Sequence, residues 1–401
     1  MEENFLQEVF LRAPLQELSK MIFDMQKRSD TIRIQHIQKE YIILQTKVIT
    51  IHGTDIPRAN METAAAIIRA GGLVVFPTET VYGLGGNGLD AEASMKIYAA
   101  KGRPSDNPLI IHVARPEDTY LYTVTDEVTK PLYEALAKAF MPGPLTVILP
   151  KQECVPYSTT GGLDTVAVRC PSHPIAHALI EAAGVPVAAP SANLSGKPSP
   201  TCASHVIDDL SGRVDIIIDG GECDIGLEST IVSINRDESG AYLTLLRPGG
   251  ITYDALTCVC DRVEVARAVS EQLAKDERPL SPGMKYRHYA PTAPLVLLDG
   301  EAEDVLVRLQ KAQESEICAI LCYNEEVPYL KDERLLPIGK RDDVEAHAKA
   351  LFAKLREADN TDAEIIYAHL PDKSGLGLAL YNRMIRAAAH TIQKVSYTAK
   401  S

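Results

Sequence analysis

Short apolar runs rich in β-branched residues recur along most of this chain, and their spacing limits the folds that it can adopt. The runs begin with KVITIH at residues 47–52 and continue to LTLLRPGG at residues 243–250, with loops and two glycine-capped helix patterns among them. They follow one another too closely for regular strand–helix–strand alternation. We therefore expect a mixed sheet in an α/β domain.

The pattern changes after KDERPLSPGMKYRHYAPTAP, a segment rich in proline and charge. Beyond it, strand and helix patterns alternate about every dozen residues, which predicts a smaller, Rossmann-like parallel sheet with helices on its faces. The predicted domains are an N-terminal helical extension at residues 1–50, the larger α/β domain at 51–274, a linker at 275–293 and a C-terminal α/β domain at 294–401. The extension fits either a peripheral helix without chemistry or a helix that binds a partner.

Composition excludes several classes of protein. The chain has 401 residues and a formal net charge of -13, whereas a protein that coats duplex nucleic acid needs an extended basic face. No apolar run approaches the ~20 residues of a membrane span, and the acidic start MEENFLQEVF does not resemble a secretory signal. The eight cysteines form no C-x-x-C pair, so we expect free thiols in a reducing cytoplasm and no zinc site.

The glycine-rich segment GLGGNG at residues 83–88 matches the dinucleotide pattern G-x-G-x-x-G by letter. In a dinucleotide site that motif opens directly into a helix, but here the helix pattern begins only after Asp90. A P-loop motif is also absent from the sequence. We expect these glycines to let the backbone approach a small ligand closely.

Four cations stand at the ends of predicted elements. Lys101 and Arg103 precede the strand of PLIIHV, while Arg169 and Arg247 end two other strands. Arginine can bind a carboxylate or phosphate with two parallel hydrogen bonds, and α/β folds build their sites at strand ends. One such cation is an ordinary turn residue, but four in an acidic chain indicate an anion site.

Two polar segments fit the same site. Thr78, Thr80 and Tyr82 share one face of an extended segment. The loop of small residues at 188–200 offers amides and hydroxyls to phosphate oxygens. Taken alone, the first segment is equally a polar strand edge, and the second is an ordinary turn.

The sequence contains no familiar acid–base arrangement. His112, in PLIIHV, is more typical of a hydrogen-bonded sheet histidine than of a catalyst. We find no pattern for a Ser-His-Asp triad, a paired-carboxylate site or an H-E-x-x-H metal helix. This suits a reaction whose nucleophile is already anionic and whose catalyst mainly neutralises phosphate charge.

Several of these segments resemble the YrdC-like family. The matching segments are FPTETVYGLG, KGRPSDNPLIIHV, TVAVRCPSHP, PSANLSG and LESTIV. The segments SPGMKYRHYAP and GLGLALYNRMIRAA resemble the longer, two-domain members, which are threonylcarbamoyl-AMP synthases. The resemblance runs from about residue 51 to residue 395. It implies a twisted mixed-sheet catalytic domain followed by a Rossmann-like domain.

The resemblance also implies an activity. It implies a nucleotidyltransferase that forms L-threonylcarbamoyladenylate and pyrophosphate from ATP, L-threonine and bicarbonate or carbon dioxide, with Mg²⁺ accompanying ATP. The product would supply the threonylcarbamoyl modification of tRNA adenosine through a downstream tRNA-modifying transferase complex. A cytoplasmic protein without a membrane partner or stable nucleic-acid binding is expected.

Site residues follow from the same resemblance. Lys101 and Arg103 match the family's K-x-R pair and are the implied catalytic residues, and Ser191 and Asn193 match its S-x-N pair. The implied threonine-binding residues are Thr80, His112, Arg169, Ala189 and Ser229. The implied ATP-binding residues are Arg103, Asn107, Thr165, Ser191, Asn193, Ser199, Arg247 and Tyr286. No residue is implied as a metal ligand.

Two functions of other classes fit parts of the sequence. A related domain serves carbamoyl transfer in hydrogenase maturation, but that protein carries zinc-finger C-x-x-C pairs, which this chain lacks. A non-catalytic RNA-binding module would use the same basic concavity, but the acidic total and the few aromatic residues weigh against it. Threonine-dependent ATP turnover separates these functions.

Overall fold

The computed structural model describes residues 45–53, 55–271, 281, 289–331 and 333–396. The chain divides into two compact units, Met1–Gln45 and Thr46–Ser401, and the second contains both sheets described below. Most of the predicted extension at 1–50 and most of the predicted linker at 275–293 lie outside the described residues.

The larger sheet has 11 described strands and mixes parallel with antiparallel pairs, as the sequence predicts. Its strands are β1 Lys47–Thr50, β2 Val74–Phe76, β3 Gly83–Asn87, β4 Ile110–His112, β5 Leu145–Pro150, β6 Thr165–Arg169, β7 Val187–Ala188, β8 Ile216–Asp219, β9 Thr230–Asp237, β10 Gly240–Arg247 and β11 Val263–Val265. Their order across the sheet is β1-β8-β2-β3-β7-β4-β6-β5-β9-β10-β11. Strand β1 pairs with β8, so residues 47–50 belong to this sheet.

Six described α-helices accompany the larger sheet and bury apolar side chains in its core. They are α1 Arg58–Arg69, α2 Ala91–Lys101, α3 Lys130–Phe140, α4 Pro174–Ala183, α5 Ala203–Leu210 and α6 Tyr253–Thr257. In α1, Met61, Ala64, Ala65 and Ile68 are buried at helical spacing and share a core with α4.

The smaller sheet is entirely parallel among its described strands. Its strands are β12 Leu295–Asp299, β13 Cys318–Cys322, β14 Leu335–Pro337, β15 Ile365–His369 and β16 Ile392–Lys394, in the order β14-β13-β15-β12-β16. The helices of this part are α7 Ala302–Ser315, α8 Val344–Ala358 and α9 Gly377–Ala387. The predicted second, parallel α/β pattern is therefore confirmed.

Helix α2 delivers the K-x-R pair to the sheet. Asp90 caps its start by accepting a hydrogen bond from the Glu92 amide. Gly102 ends it in the left-handed conformation, with φ of 62°. Lys101 therefore stays on the last turn of the helix, while Arg103 begins the segment that leads into β4.

Residues 83–87 of the GLGGNG segment form strand β3, between β2 and β7. Gly83 lines the pocket described below, where the sequence predicts close approach to a ligand. A Cβ atom on Gly85 would lie 2.7 Å from Val187 Cγ1 and 2.8 Å from Phe76 Cε1, so this glycine makes room for neighbouring side chains. Glycine is uncommon in strands, which is why the segment does not look like one.

We predict that Gly85→Ala lowers the free energy of unfolding by about 1–3 kcal/mol, because the added methyl group overpacks this core. Gly86→Ala is the matched control in the same strand. Its methyl group would lie 3.3 Å from the tips of Ile97 and Leu73, so its loss is expected to be smaller. Chemical denaturation measures both variants, and equal stabilities would contradict the packing explanation.

Candidate active site

A pocket opens where strands and loops of the larger sheet converge. Most of the predicted site residues line it: Thr80, Arg103, His112, Arg169, Ala189, Ser191, Asn193, Ser229 and Arg247. Lys101, Asn107, Thr165 and Ser199 are not among its lining residues. Tyr286 lies outside the described residues.

Strands β4 and β6 pair in parallel, and this pairing brings two side chains of the pocket next to each other. His112 lies opposite Arg169 in this pair, at the carboxyl ends of both strands. Thr165 begins β6, four residues before Arg169 and so roughly 13 Å away at the rise of an extended strand. Asn107 lies on the same side as Thr165, just before β4. Asn107 and Thr165, two of the predicted ATP-binding residues, therefore lie toward the opposite end of these strands from His112 and Arg169.

His112 is a neutral, buried imidazole. Its Nδ1 lies 3.2 Å from the carbonyl oxygen of Val187, which can only accept, so Nδ1 carries the proton. Burial, with the nearby positive charge of Arg169, lowers the pKa of His112 to about 3. The expectation of a hydrogen-bonded sheet histidine therefore holds, although His112 also lines the pocket.

Arg169 is held by a carboxylate that the sequence analysis did not single out. Its Nη2 lies 2.7 Å from Glu79 Oε1, and both side chains are buried. Burial alone would raise the pKa of Glu79, but the Arg169 guanidinium brings it below the ordinary value. Glu79 thus stays charged and fixes Arg169 at the mouth of β6.

Lys101 links the K-x-R and S-x-N motifs. Its ammonium group is buried and donates to the carbonyl oxygens of Ser191 and Asn193, and also to Asn193 Oδ1 at 3.3 Å. Ser191 Oγ in turn donates to Asn193 Oδ1 over 2.6 Å. Burial, together with Arg103, lowers the pKa of Lys101 well below its usual range. In this arrangement Lys101 shapes the loop that lines the pocket.

Arg103 turns back on the segment that leads into β4. Its Nε donates to the Asn107 carbonyl over 3.2 Å, and its Nη2 donates to the Pro108 carbonyl over 3.0 Å. The guanidinium is buried and lines the pocket. The amide oxygen Oδ1 of Asn107 is also buried and has no hydrogen-bond partner within the described part of the chain.

The opposite wall is built where β9 begins and β10 ends. Arg247 Nε donates to the Ser229 carbonyl and its Nη2 to Ser229 Oγ, each over 3.1 Å. Ser229 Oγ also lies 2.7 Å from Thr146 Oγ1. Burial is the main cause that lowers the pKa of Arg247 to about 10, so the guanidinium remains charged at neutral pH.

Glu228 lines the pocket and was likewise missed. Its Oε1 accepts a hydrogen bond from Ser199 Oγ over 2.6 Å, and its Oε2 accepts one from Arg383 Nε over 2.7 Å. Ser199 is therefore buried behind the pocket and connected to it through this carboxylate. The available sequence signal is a glutamate within LESTIV, because a buried glutamate requires a cation or hydrogen-bond donors.

The linker contributes through Tyr289. This residue lines the pocket, is buried, and stacks on Phe352 of α8 with a ring-centroid distance of 5.2 Å. Its ring centroid also lies 5.7 Å from the Arg383 guanidinium carbon. Tyr289 thus connects the end of the linker with both the pocket and α8.

The described residues contain no candidate metal cluster and no candidate membrane span. No group of three or more His, Cys, Asp or Glu side chains there is arranged to hold a metal ion. No helix in that part of the chain is both long and apolar enough to cross a membrane.

Burial of His112 predicts a pH dependence of stability. Its pKa is about 3 in the folded chain against an ordinary value of 6.5, so the unfolded chain binds the proton first as pH falls. Lowering the pH from about 7.5 to about 5 should therefore cost about 2 kcal/mol of stability through this residue. His112→Gln should flatten the pH profile of the unfolding free energy by that amount. His52 is exposed, so His52→Gln should leave this pH profile unchanged. Equal pH dependence of the unfolding free energy in the two variants would contradict a neutral His112.

Comparison with known proteins places this site in a family. A family model described as "Telomere recombination" matches residues 66–249, and one described as "Threonylcarbamoyl-AMP synthase, C-terminal domain" matches residues 251–389. The chain is 44% identical to the threonylcarbamoyl-AMP synthase of Bacillus subtilis, over 81% of this chain and 92% of that protein. It is 45% identical to the enzyme of the same name from Pyrococcus abyssi, over 83% of this chain and 95% of that protein.

The fold agrees with a solved relative. The crystal structure of P. abyssi Sua5 complexed with L-threonine superposes with a TM-score of 0.80 at 42% identity, covering 88% of this chain and 100% of that chain. Sequence and structure are thus similar across both sheets. The chain belongs to the threonylcarbamoyl-AMP synthase family.

Proposed function

We propose that this chain forms L-threonylcarbamoyladenylate and pyrophosphate from ATP, L-threonine and bicarbonate or carbon dioxide, for the threonylcarbamoyl modification of tRNA. Family membership supports an enzyme of this kind. The observation that carries the proposal is the convergence of Arg103, Arg169 and Arg247 with the neutral His112 in one buried pocket. Such a pocket suits the phosphates of ATP and the carboxylate of threonine, which must be held side by side.

L-Threonine would occupy the end of the pocket around Arg169. A guanidinium carries five N–H donors, so an Arg169 already fixed by Glu79 has further donors for the carboxylate of threonine. Thr80 and Ser229 supply hydroxyls, and Ala189 would contribute its backbone. The solved P. abyssi relative is complexed with L-threonine, which supports threonine as a substrate.

ATP would extend from this position along the S-x-N loop toward Asn107 and Thr165. The unpartnered Asn107 Oδ1 is an acceptor suited to an amino group of a base. Mg²⁺ would arrive as part of the ATP substrate, because it keeps much of its water and is held mainly by phosphate oxygens in such sites. Glu228 is not assigned to the metal ion, because its two carboxylate oxygens already accept hydrogen bonds from Ser199 and Arg383.

The proposed reaction needs little acid–base chemistry from the protein. The carbamate formed on the threonine nitrogen attacks the α-phosphorus of ATP through its oxygen, and the bond from that phosphorus to the bridging oxygen breaks. The electron pair leaves with pyrophosphate. Arg103 would stabilise the developing charge directly, and Lys101 would do so through the loop that it holds.

This nucleotidyl transfer accounts for the pocket better than the alternatives. Family membership supports it over an RNA-binding module and over carbamoyl transfer in hydrogenase maturation. A downstream transferase that consumes the adenylate, and a cytoplasmic location, remain predictions.

We predict that Arg103→Ala and Lys101→Ala each reduce threonine-dependent pyrophosphate release by ~10²-fold or more, the scale for losing one preorganised electrostatic contact. Release is followed with ATP and bicarbonate, with and without L-threonine. Exposed cations serve as controls, and Arg58→Ala and Lys130→Ala should retain wild-type rates. A folded Arg103→Ala variant with a near-wild-type rate would refute its role at the phosphates.

A further inference from the structure

Arg383 is fully buried although it belongs to α9, a helix that follows β15 of the smaller sheet. Its Nε donates to Glu228 Oε2 over 2.7 Å, and its Nη1 donates to the Pro248 carbonyl over 2.9 Å. The Asn382 side chain, next to it on α9, accepts from the same Nη1 over 2.9 Å. A residue from a helix of the smaller sheet thus places its charge against two segments of the larger sheet.

The two groups that Arg383 holds each adjoin a residue of the pocket. Glu228 precedes Ser229, just before β9 begins, and Pro248 follows Arg247, where β10 ends. One planar guanidinium therefore fixes both segments at once, which is the geometry that arginine provides and lysine does not.

The same contact reaches a third segment through the carboxylate. Glu228 accepts from Ser199 on its other oxygen, and Ser199 follows the S-x-N loop. Residues 199, 228 and 248 are therefore held together by one chain of buried hydrogen bonds that starts on α9.

Docking of α9 has other anchors. Asn382 Nδ2 donates to the Val269 carbonyl and Arg386 Nη2 donates to the Ala268 carbonyl, each over 2.6 Å. These contacts do not touch the pocket segments. Loss of the Arg383 guanidinium should consequently leave the helix docked while releasing residues 228 and 248.

We propose that Arg383 is a positioning residue for catalysis, by which α9, a helix of the predicted C-terminal domain, sets the geometry of Ser229, Arg247 and Ser199. This inference rests on the proposed function of the pocket. It also assigns the C-terminal domain a part in the reaction, because Arg383 holds segments of the pocket wall in place.

The test separates positioning from stability. Removing one partner of a buried ion pair is strongly destabilising, whereas removing both charges is often close to neutral. We compare Arg383→Met, Arg383→Lys and the double variant Glu228→Gln/Arg383→Met, each by thermal unfolding and by pyrophosphate release with varied ATP and L-threonine. Met384→Ala, which removes a buried apolar side chain, is the matched control from the same helix.

Arg383→Met should unfold at a lower temperature and lose about tenfold or more in kcat/KM for both substrates, the scale of a small misplacement. Arg383→Lys should recover part of that loss. The double variant should regain thermal stability but keep the kinetic defect, and Met384→Ala should change stability without raising either KM. Recovery of both stability and kinetics in the double variant would show that Arg383 is merely structural and overturn the proposal, as would unchanged kinetics in a folded Arg383→Met.

Binding of L-threonine alone is measured by calorimetry in parallel. It requires no turnover, so wild-type protein that binds threonine but forms no adenylate would refute the proposed function without deciding the role of Arg383. In that case the proposal stands if Arg383→Met and the double variant bind threonine about tenfold more weakly than wild type, and it fails if they bind it equally well.

Discussion

Burial of guanidinium groups in an aliphatic core is the constraint on which the rest of this structure depends. Arg103, Arg169, Arg247 and Arg383 are each at most 9% exposed. A charge taken out of water is costly unless hydrogen bonds and countercharges compensate for it. Arg169 pairs with Glu79, and Arg383 pairs with Glu228. Arg103 donates to backbone carbonyls, and Arg247 donates to both oxygens of Ser229. Each compensation also fixes a segment of the pocket.

That constraint connects stability with function. Segments tied to buried charges have few alternative positions, and a preorganised set of donors is the main requirement for transferring a nucleotidyl group between anions. The neutral His112 adds a polar ring to the pocket without adding another charge beside Arg169. The lowered pKa of Lys101 has the same physical origin, since burial and the neighbouring Arg103 oppose its charge.

Much of this was predictable from local patterns, and the remainder was not. Residues 103, 169 and 247 stand at the ends of elements, so strand topology alone indicates that they lie near one another. The role of β3 was missed because a glycine-rich strand has no side-chain pattern to read. Glu228 and Arg383 are 155 residues apart, and no local periodicity pairs them. The sequence predicts Lys101 at the phosphates, whereas in the structure its ammonium group donates to the carbonyls of the S-x-N loop. These contacts depend on tertiary packing, which no local sequence pattern reveals.

The central claim is that one buried, arginine-lined pocket joins threonine, inorganic carbon and ATP. The most direct test is mass spectrometry of the products after incubation of the full chain with MgATP, L-threonine and ¹³C-labelled bicarbonate. The account predicts L-threonylcarbamoyladenylate carrying the label, formed together with an equal amount of pyrophosphate. Pyrophosphate release that does not depend on threonine, or ATP turnover without labelled adenylate, would contradict it.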